Sequence, residues 1–277
     1  MHFEKKNNEK RLCYHSANGN VEEVRYLLSR GVNPNCEQQH PDLGWGTPTS
    51  LASSSGFTDV VKLLLHAGGD PNANIEMPAG KGSCIRHMLI AATLKGHKDV
   101  VKLLLSKGAW PNVADEQGAT PLCYAIVHHS NTDIPQILID GGADPNQASE
   151  LGTAPLHCAV RKGKSVMKIL IDAGADVNMA SKYGTTPLHL VTEKQTVRML
   201  LNAGAEVNRP DTHGDTALHY AAGSGRRYVV QALIDSGADP NRANHEGETP
   251  LNQARRGGRN GYSGVIKILE GLTRRNI

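Results

Sequence analysis

Aromatic side chains are scarce in this sequence of 277 residues, in which phenylalanine, tryptophan and tyrosine together account for 4%. Alanine, leucine and glycine are abundant instead. Aromatic groups contribute heavily to the interior of an ordinary globular domain. Their scarcity therefore argues against one deep core and favours thin layers of small side chains.

Long apolar segments are also missing. Apolar runs such as residues 100–105, which lysine interrupts, fall far short of the ~20 residues that span a membrane. The N-terminus carries Lys5 and Lys6 with no apolar stretch behind them, unlike a secretory signal. We therefore expect no membrane span and a location in the cytoplasm or the nucleus.

Paired cysteines and a strong net charge are absent as well. The five cysteines are odd in number and show no CxxC spacing; they are Cys13, Cys36, Cys84, Cys123 and Cys158. Secreted proteins usually pair their cysteines, so we expect free thiols in a reducing compartment. The formal net charge of +3 is too small to indicate nucleic-acid or membrane binding by itself.

Sequence motifs of known enzymes are missing too. We find no GxSxG, P-loop or HExxH motif, no GxGxxG that opens a helix and no zinc-spaced cysteines. Residues 79–83 are similar to a phosphate loop, but they lack its first glycine and lie in an insertion. Asp211 and Asp215 fall in turns, where capping explains them. We expect no catalytic residue, cofactor or metal site.

A short phrase that recurs about every 33 residues is the most informative feature present. Thr-Pro-Leu-His stands intact at 186–189 and in altered form from residues 47, 120, 154, 216 and 249. A second phrase, Gly-Ala-Asp-Pro-Asn or a close variant, occupies 142–146, 174–178, 204–208 and 237–241. On this period and these phrases, nearly the whole chain resembles the ankyrin-repeat family.

The resemblance implies an all-α repeat fold, an ankyrin solenoid of helix-turn-helix units joined by hairpin-like loops. We count eight units, which start near residues 10, 45, 85, 118, 152, 184, 214 and 247. They make up an ankyrin-repeat domain of residues 10–277 behind an N-terminal tail of residues 1–9. Spacings longer than 33 residues mark insertions at about 37–46 and 73–86. We expect the second insertion to be a mobile contact loop.

Local signals predict where the helices of a unit begin and end. In the seventh unit, Thr216 is placed to cap a helix that begins at Ala217, and Gly237 ends the second helix. In the fourth unit, Asp133 would cap the second helix and leave Pro135 in the tolerated first turn. The sixth unit lacks about three residues around 193–195, which predicts shortened helices.

Histidines occupy the last position of several phrases. The resemblance implies that His157, His189 and His219 hold neighbouring turns together through hydrogen bonds, and His97 lies in a Gly-His position between helices. Metal binding is disfavoured because these histidines are one repeat apart and do not converge. The pair at 128–129 is a weak candidate for partner contact.

Ankyrin families bind proteins on a concave face that is made by hairpin tips and first helices. The matching positions here hold Glu116, His128, Leu151, Arg161, Lys162, Tyr183, Lys194 and His213. Leu151 and Tyr183 are hard to justify as core residues. Trp110 replaces the usual aspartate, and Trp45 lies in the first insertion. Both are candidate binding hot spots, although each indole could equally fold back over an insertion as local packing.

We expect a non-enzymatic protein–protein interaction scaffold or adaptor, a monomer that binds one or more proteins on the concave face. One alternative is a targeting subunit, such as a ubiquitin-ligase adaptor without its own box, since only residues 271–277 follow the last helix. Another is a pathogen effector that acts on host proteins. A third is binding of an anionic ligand or nucleic acid through arginines 226, 227, 242, 255, 256, 259, 274 and 275. Sparse aromatic residues among these arginines disfavour base stacking.

Overall fold

The structure, a computed structural model, describes residues 2–79, 82–129, 131–257 and 262–273. The chain divides into two compact units, Met1–Asp144 (unit 1) and Pro145–Ile277 (unit 2). Both units consist mainly of paired helices that are joined by turns and hairpin-like loops, as the sequence predicts.

Unit 1 contains helices and strands. The helices are α1 (His2–Ala17), α2 (Val21–Ser29), α3 (Pro48–Ser55), α4 (Thr58–His66), α5 (Met88–Leu94), α6 (Lys98–Ser106), α7 (Pro121–His128) and α8 (Asp133–Asp140). The strands are β1 (Gln38–His40), β2 (Gly44–Gly46), β3 (Asn74–Ala79) and β4 (Gly82–His87). The odd-numbered helices stack on one another in one layer, and the even-numbered helices stack in a second.

Unit 2 contains helices joined by turns and loops, with no strand among its described residues. Its elements are α9 (Pro155–Ala159), α10 (Lys164–Asp172), a 3₁₀ helix (Pro187–Leu190), α11 (Lys194–Asn202), α12 (Ala217–Gly223), α13 (Arg227–Asp235), α14 (Pro250–Gly257) and α15 (Ser263–Thr273). Here α9, the 3₁₀ helix, α12 and α14 form one layer, while α11, α13 and α15 stack in the other.

The Thr-Pro phrases begin the first helix of a pair for a local reason. The backbone amide of Ser50 donates to Thr47 Oγ1 at 3.2 Å, and that of Cys123 donates to Thr120 Oγ1 at 3.3 Å. A proline follows each threonine, at a position where a helix needs no amide hydrogen. Thr216 is the N-cap of α12, which begins at Ala217, so that prediction is confirmed.

The histidines that end the Thr-Pro-Leu-His phrases join neighbouring repeats of unit 2. In His189, Nδ1 accepts the backbone amide of Thr186 at 3.1 Å, and Nε2 bonds the carbonyl oxygen of Asp215 at 3.1 Å. His157 and His219 make the same pair of contacts. Burial lowers the pKa of all three imidazoles. Their structural role is confirmed.

An asparagine at the end of most repeats forms a second connection. Asn178 Nδ2 donates to the carbonyl oxygen of Gly204 at 2.9 Å, and its Oδ1 accepts the backbone amide of Glu206 at 2.8 Å. The equivalent residues Asn35, Asn72, Asn112, Asn146 and Asn208 make the same two contacts. Each unit therefore has a row of side-chain bridges between successive loops.

The two insertions form one antiparallel sheet in the order β1-β2-β3-β4. The second insertion, residues 73–86, therefore contains two strands and is not the irregular loop that the sequence predicts, while its role in partner contact stays a prediction. Either hairpin alone would be only marginally stable in water. Pairing of β2 with β3 joins the two hairpins into a more stable sheet of four strands. The buried side chain of Ile75 then anchors the sheet to the core. Gly80 and Lys81, part of the phosphate-loop likeness, lie outside the described residues.

Three helix predictions need adjustment. The first helix of the sixth unit is shortened to a single 3₁₀ turn, as expected, but α11 keeps nine residues because Thr196, Val197 and Leu200 remain buried. The N-cap of α8 is Thr132, so Asp133 is its first helical residue and pairs with Lys98 at 2.9 Å. Pro135 does lie in the first turn. Helix α1 begins at His2, so the segment assigned to a tail is helical.

The thiols that the structure describes are free, as expected. Cys13 and Cys36 are buried with their sulfur atoms 3.8 Å apart. The hydrogen bond with Cys36, together with burial, raises the pKa of the Cys13 thiol. These two residues thus serve as small side chains in the interior of unit 1. The side chain of Cys84 lies outside the described part of the chain.

Candidate protein-interaction surface

The hairpin tips of unit 2 are linked to one another through their backbones. The amide of Lys182 donates to the carbonyl oxygen of Leu151 at 3.0 Å, and the amide of Thr212 donates to that of Tyr183 at 3.0 Å. The amide of His245 donates to the carbonyl oxygen of His213 at 2.9 Å. Successive tips therefore form a continuous row, which we call the tip row: Leu151, Tyr183 and His213.

Glycine is required after each tip residue. Gly152, Gly184 and Gly214 have φ values of +74°, +73° and +82°. A Cβ atom on any of them would lie 2.8 to 2.9 Å from the backbone nitrogen of the next tip. Only glycine permits both the left-handed backbone and this close approach. The sequence therefore fixes the spacing of the tip row.

The side chains of the tip row face solvent. Leu151 is 55% exposed and Tyr183 is 58% exposed, which confirms that neither is a core residue. His213 is also exposed, and its Nδ1 lies 3.9 Å from the buried carboxylate of Asp211. Asp211 accepts the backbone amides of His213 and Asp215, so it fixes the shape of that turn.

Positively charged residues lie in and beside the turns between the helices of unit 2. Arg161 and Lys162 are exposed after α9, and the partly exposed Lys194 begins α11. Arg226 Nη1 donates to the carbonyl oxygen of Val191 at 2.8 Å. Burial lowers the pKa of Arg226, and the charge of Arg161 lowers it further.

A polar cavity of about 290 Å³ lies next to His213. Asp215 Oδ1 accepts hydrogen bonds from Asn244 and Gln253, both at 2.8 Å, and Glu248 pairs with Arg256 at 2.5 Å. These polar groups satisfy one another. The cavity is therefore part of the framework that supports the end of the tip row.

In unit 1, the sequence candidates fall on two separate features. Glu116 is exposed in a turn, and His128 is exposed at the end of α7, where it stacks on Tyr124 at 5.8 Å between ring centroids. The neighbouring His129 bonds the carbonyl oxygen of Thr93 at 2.5 Å, which indicates a structural role. Trp45 and Trp110 belong to the second feature, the inserted sheet.

Both tryptophans remain accessible although each has a local partner. Trp45 lies on β2 and is 45% exposed, and its Nε1 donates to Glu37 Oε2 at 3.4 Å. Trp110 is 63% exposed and stacks on His87, with ring centroids 6.4 Å apart. Neither indole is folded away as core. His87 and Glu37 become neighbours of the indoles only through the sheet, which local sequence patterns do not predict.

Metal-binding clusters and membrane-spanning helices are both absent from the described residues. Within the described ranges, no group of three or more histidine, cysteine or acidic residues could hold a metal ion. In the same ranges, no helix combines the length and apolar character that a bilayer crossing requires. The arginines at 259, 274 and 275, part of the anionic-ligand alternative, lie outside the described residues.

Comparison with known proteins establishes the family. The sequence model described as ankyrin repeats (3 copies) matches residues 1–75, 79–149, 131–211, 156–244 and 192–271. The chain therefore belongs to the ankyrin-repeat family and has its all-α solenoid fold. No curated protein sequence matches the chain significantly.

Among solved structures, the chain is similar to the ankyrin repeat domain of Bcl-3, described as a unique member of the IkappaB protein family. The two are 29% identical with a TM-score of 0.67, and the match covers 81% of this chain and 98% of that domain. The family and this neighbour identify a protein-interaction domain.

Proposed function

We propose that the protein is a non-enzymatic scaffold or adaptor that binds a protein partner through the tip row of unit 2. The observation that carries this proposal is the pair of large apolar side chains, Leu151 and Tyr183, held in solvent on adjoining, hydrogen-bonded tips. Rigid, exposed aromatic and aliphatic groups are typical anchors of protein interfaces. Arg161 and Lys162 in the turn after α9, and Lys194 at the start of α11, add positive charge in the same unit.

Binding of nucleic acid or another anion through the C-terminal arginines has less support. Arg255 pairs with Glu270 at 2.8 Å, and Arg256 pairs with Glu248. Arg242 Nη1 donates to the carbonyl oxygen of Asn208 at 3.1 Å. These arginines have structural partners within unit 2. The free thiols of Cys13 and Cys36 favour a reducing compartment, the cytoplasm or the nucleus.

The double substitution Leu151→Ala/Tyr183→Ala tests the tip row. We expect it to reduce recovery of the partner in affinity purification about tenfold or more, since truncated hot spots each cost about 1–2 kcal/mol. Thermal stability should change little, because both side chains are exposed.

The matched control is Tyr228→Ala. Tyr228 is 72% exposed and lies on α13, away from the tips. Proteins retained by the wild-type chain and by the control, but lost from the double variant, support the proposal. Equal recovery by all three chains would show that the tip row is not the binding surface.

A further inference from the structure

One side of the inserted sheet of unit 1 is buried, and the other is exposed at Gln39, Trp45 and Asn74 although His87 on that side is buried. Trp45 is paired with Glu76 and with Gln39, and Asn74 is paired with His87. Side chains directly opposite one another, or two residues apart on a strand, lie on the same side of a sheet. These five residues therefore share one side, while Ile75 and Gly46 on the other are buried.

This arrangement brings together two tryptophans that are two repeats apart in the sequence. Trp45 lies on β2, and His87, which carries the stacked indole of Trp110, ends β4. Two strand spacings and two residues of rise place the Cα atoms of Trp45 and His87 about 12 Å apart. We call this surface the tryptophan face: Gln39, Trp45, Asn74, Glu76, His87 and Trp110.

Two carboxylates flank Trp45. Glu37 accepts the indole N–H of Trp45, and Glu76 lies directly across from Trp45 on the adjoining strand. In the described part of the chain, neither carboxylate forms an ion pair. Arg86, on β4, lies on the other side of the sheet, where its guanidinium is 5.3 Å from the ring centroid of Tyr124.

The imidazole beneath Trp110 adds no positive charge near neutral pH. Burial lowers the pKa of His87 to about 4, an effect that the charge of Asp70 partly opposes. Nδ1 of His87 accepts the backbone amide of Leu89 at 3.2 Å, which is consistent with a neutral ring. The indole of Trp110 is thus supported by an uncharged ring.

We propose that the tryptophan face binds a lysine or arginine side chain of a protein partner. A cation is attracted to the face of an indole more strongly than to any other aromatic ring, and Glu37 and Glu76 offer carboxylates beside Trp45. Trp110 supplies a second flat apolar contact for the flanking residues of the partner. The inference rests on the proposed function only in taking the ligand to be a protein, and it concerns a surface separate from the tip row.

A library of random dodecapeptides displayed on phage, selected against the full chain, supplies the probe. The enriched peptides should contain arginine or lysine well above the library average. Because the chain has two tryptophans and both lie on this face, intrinsic emission should change as an enriched peptide binds. In peptides with citrulline in place of arginine, affinity should fall about tenfold, since the cation is lost but the shape is kept.

Variants locate the binding site of those peptides. Trp45→Ala, Trp110→Ala and Glu37→Gln/Glu76→Gln should each raise the Kd of a labelled peptide about tenfold. Glu22→Gln removes an exposed carboxylate of α2 and is the matched control, with no expected change. Absence of any enriched peptide, enrichment of acidic or uncharged peptides, or equal binding by all variants would overturn the inference. Binding lost only in Leu151→Ala/Tyr183→Ala would support the tip row and overturn the tryptophan face.

Discussion

His87 stands where most sister repeats have threonine, and it shows how one residue can substitute for a capping hydroxyl. Its Nδ1 accepts the backbone amide of Leu89, while its ring supports Trp110. The cost is a buried imidazole whose Nε2 has no hydrogen-bond partner among the described residues. Burial of the ring also links the stability of unit 1 to pH.

Unit 1 should lose stability as pH falls from about 7 to about 4. In the unfolded chain His87 takes up a proton near pH 6.5, whereas in the folded chain its pKa is about 4. The unfolded state therefore binds more protons in this window, and stability is fully present only above about pH 6.5. The difference between the two pKa values corresponds to about 3 kcal/mol in the free energy of unfolding.

The variant His87→Thr checks this contribution and restores the threonine of the sister repeats. Urea unfolding measures the free energy of unfolding at pH 7 and at pH 4.5. Its fall between these two pH values should be smaller in the variant than in the wild-type chain, by roughly 2 kcal/mol. His128→Thr alters an exposed histidine and serves as the control. An unchanged loss of stability in His87→Thr would contradict the assignment.

Successive loops are joined by the asparagine bridges, and these should contribute to stability more than their partly exposed positions suggest. Asn178→Ala leaves the carbonyl oxygen of Gly204 and the amide of Glu206 without their side-chain partner. We expect the free energy of unfolding to fall by about 1–2 kcal/mol, since two hydrogen bonds are lost and water replaces them only in part.

Denaturant unfolding followed by circular dichroism measures this loss. Asn202→Ala is the comparison, because Asn202 is an exposed residue at the end of α11. If both substitutions lowered the stability by the same amount, the bridges would have no special role.

Most helices were predictable because their signals are local. Thr216 and the glycine at 237 mark helix ends through capping and left-handed backbone, which depend on a few adjacent residues. The inserted sheet was not predictable in this way. Pairing of β2 with β3 joins segments about 30 residues apart, and the registers follow from contacts that a local pattern does not contain. Retention of a full α11 likewise depends on burial of Val197 and Leu200 against neighbours.

The candidate site was predictable to a similar, limited extent. Exposure of Leu151 and Tyr183 follows from their place before a turn glycine in a regular repeat. The proximity of Trp45 and Trp110 does not, because the repeat spacing alone keeps them two units apart and only the sheet brings them together. Insertions in a regular repeat frame are thus where this chain acquires surface features of its own.

The protein as a whole consists of two compact units that share one family fold. Its function should depend on which protein contacts the tip row. Replacing Tyr183 by photoreactive benzoylphenylalanine, with the same replacement at Tyr228 as the control, tests this in the full chain inside cells. We predict a covalent adduct with a partner protein from position 183 and none from position 228. Adducts from position 228 alone, or equally from both positions, would contradict binding through the tip row.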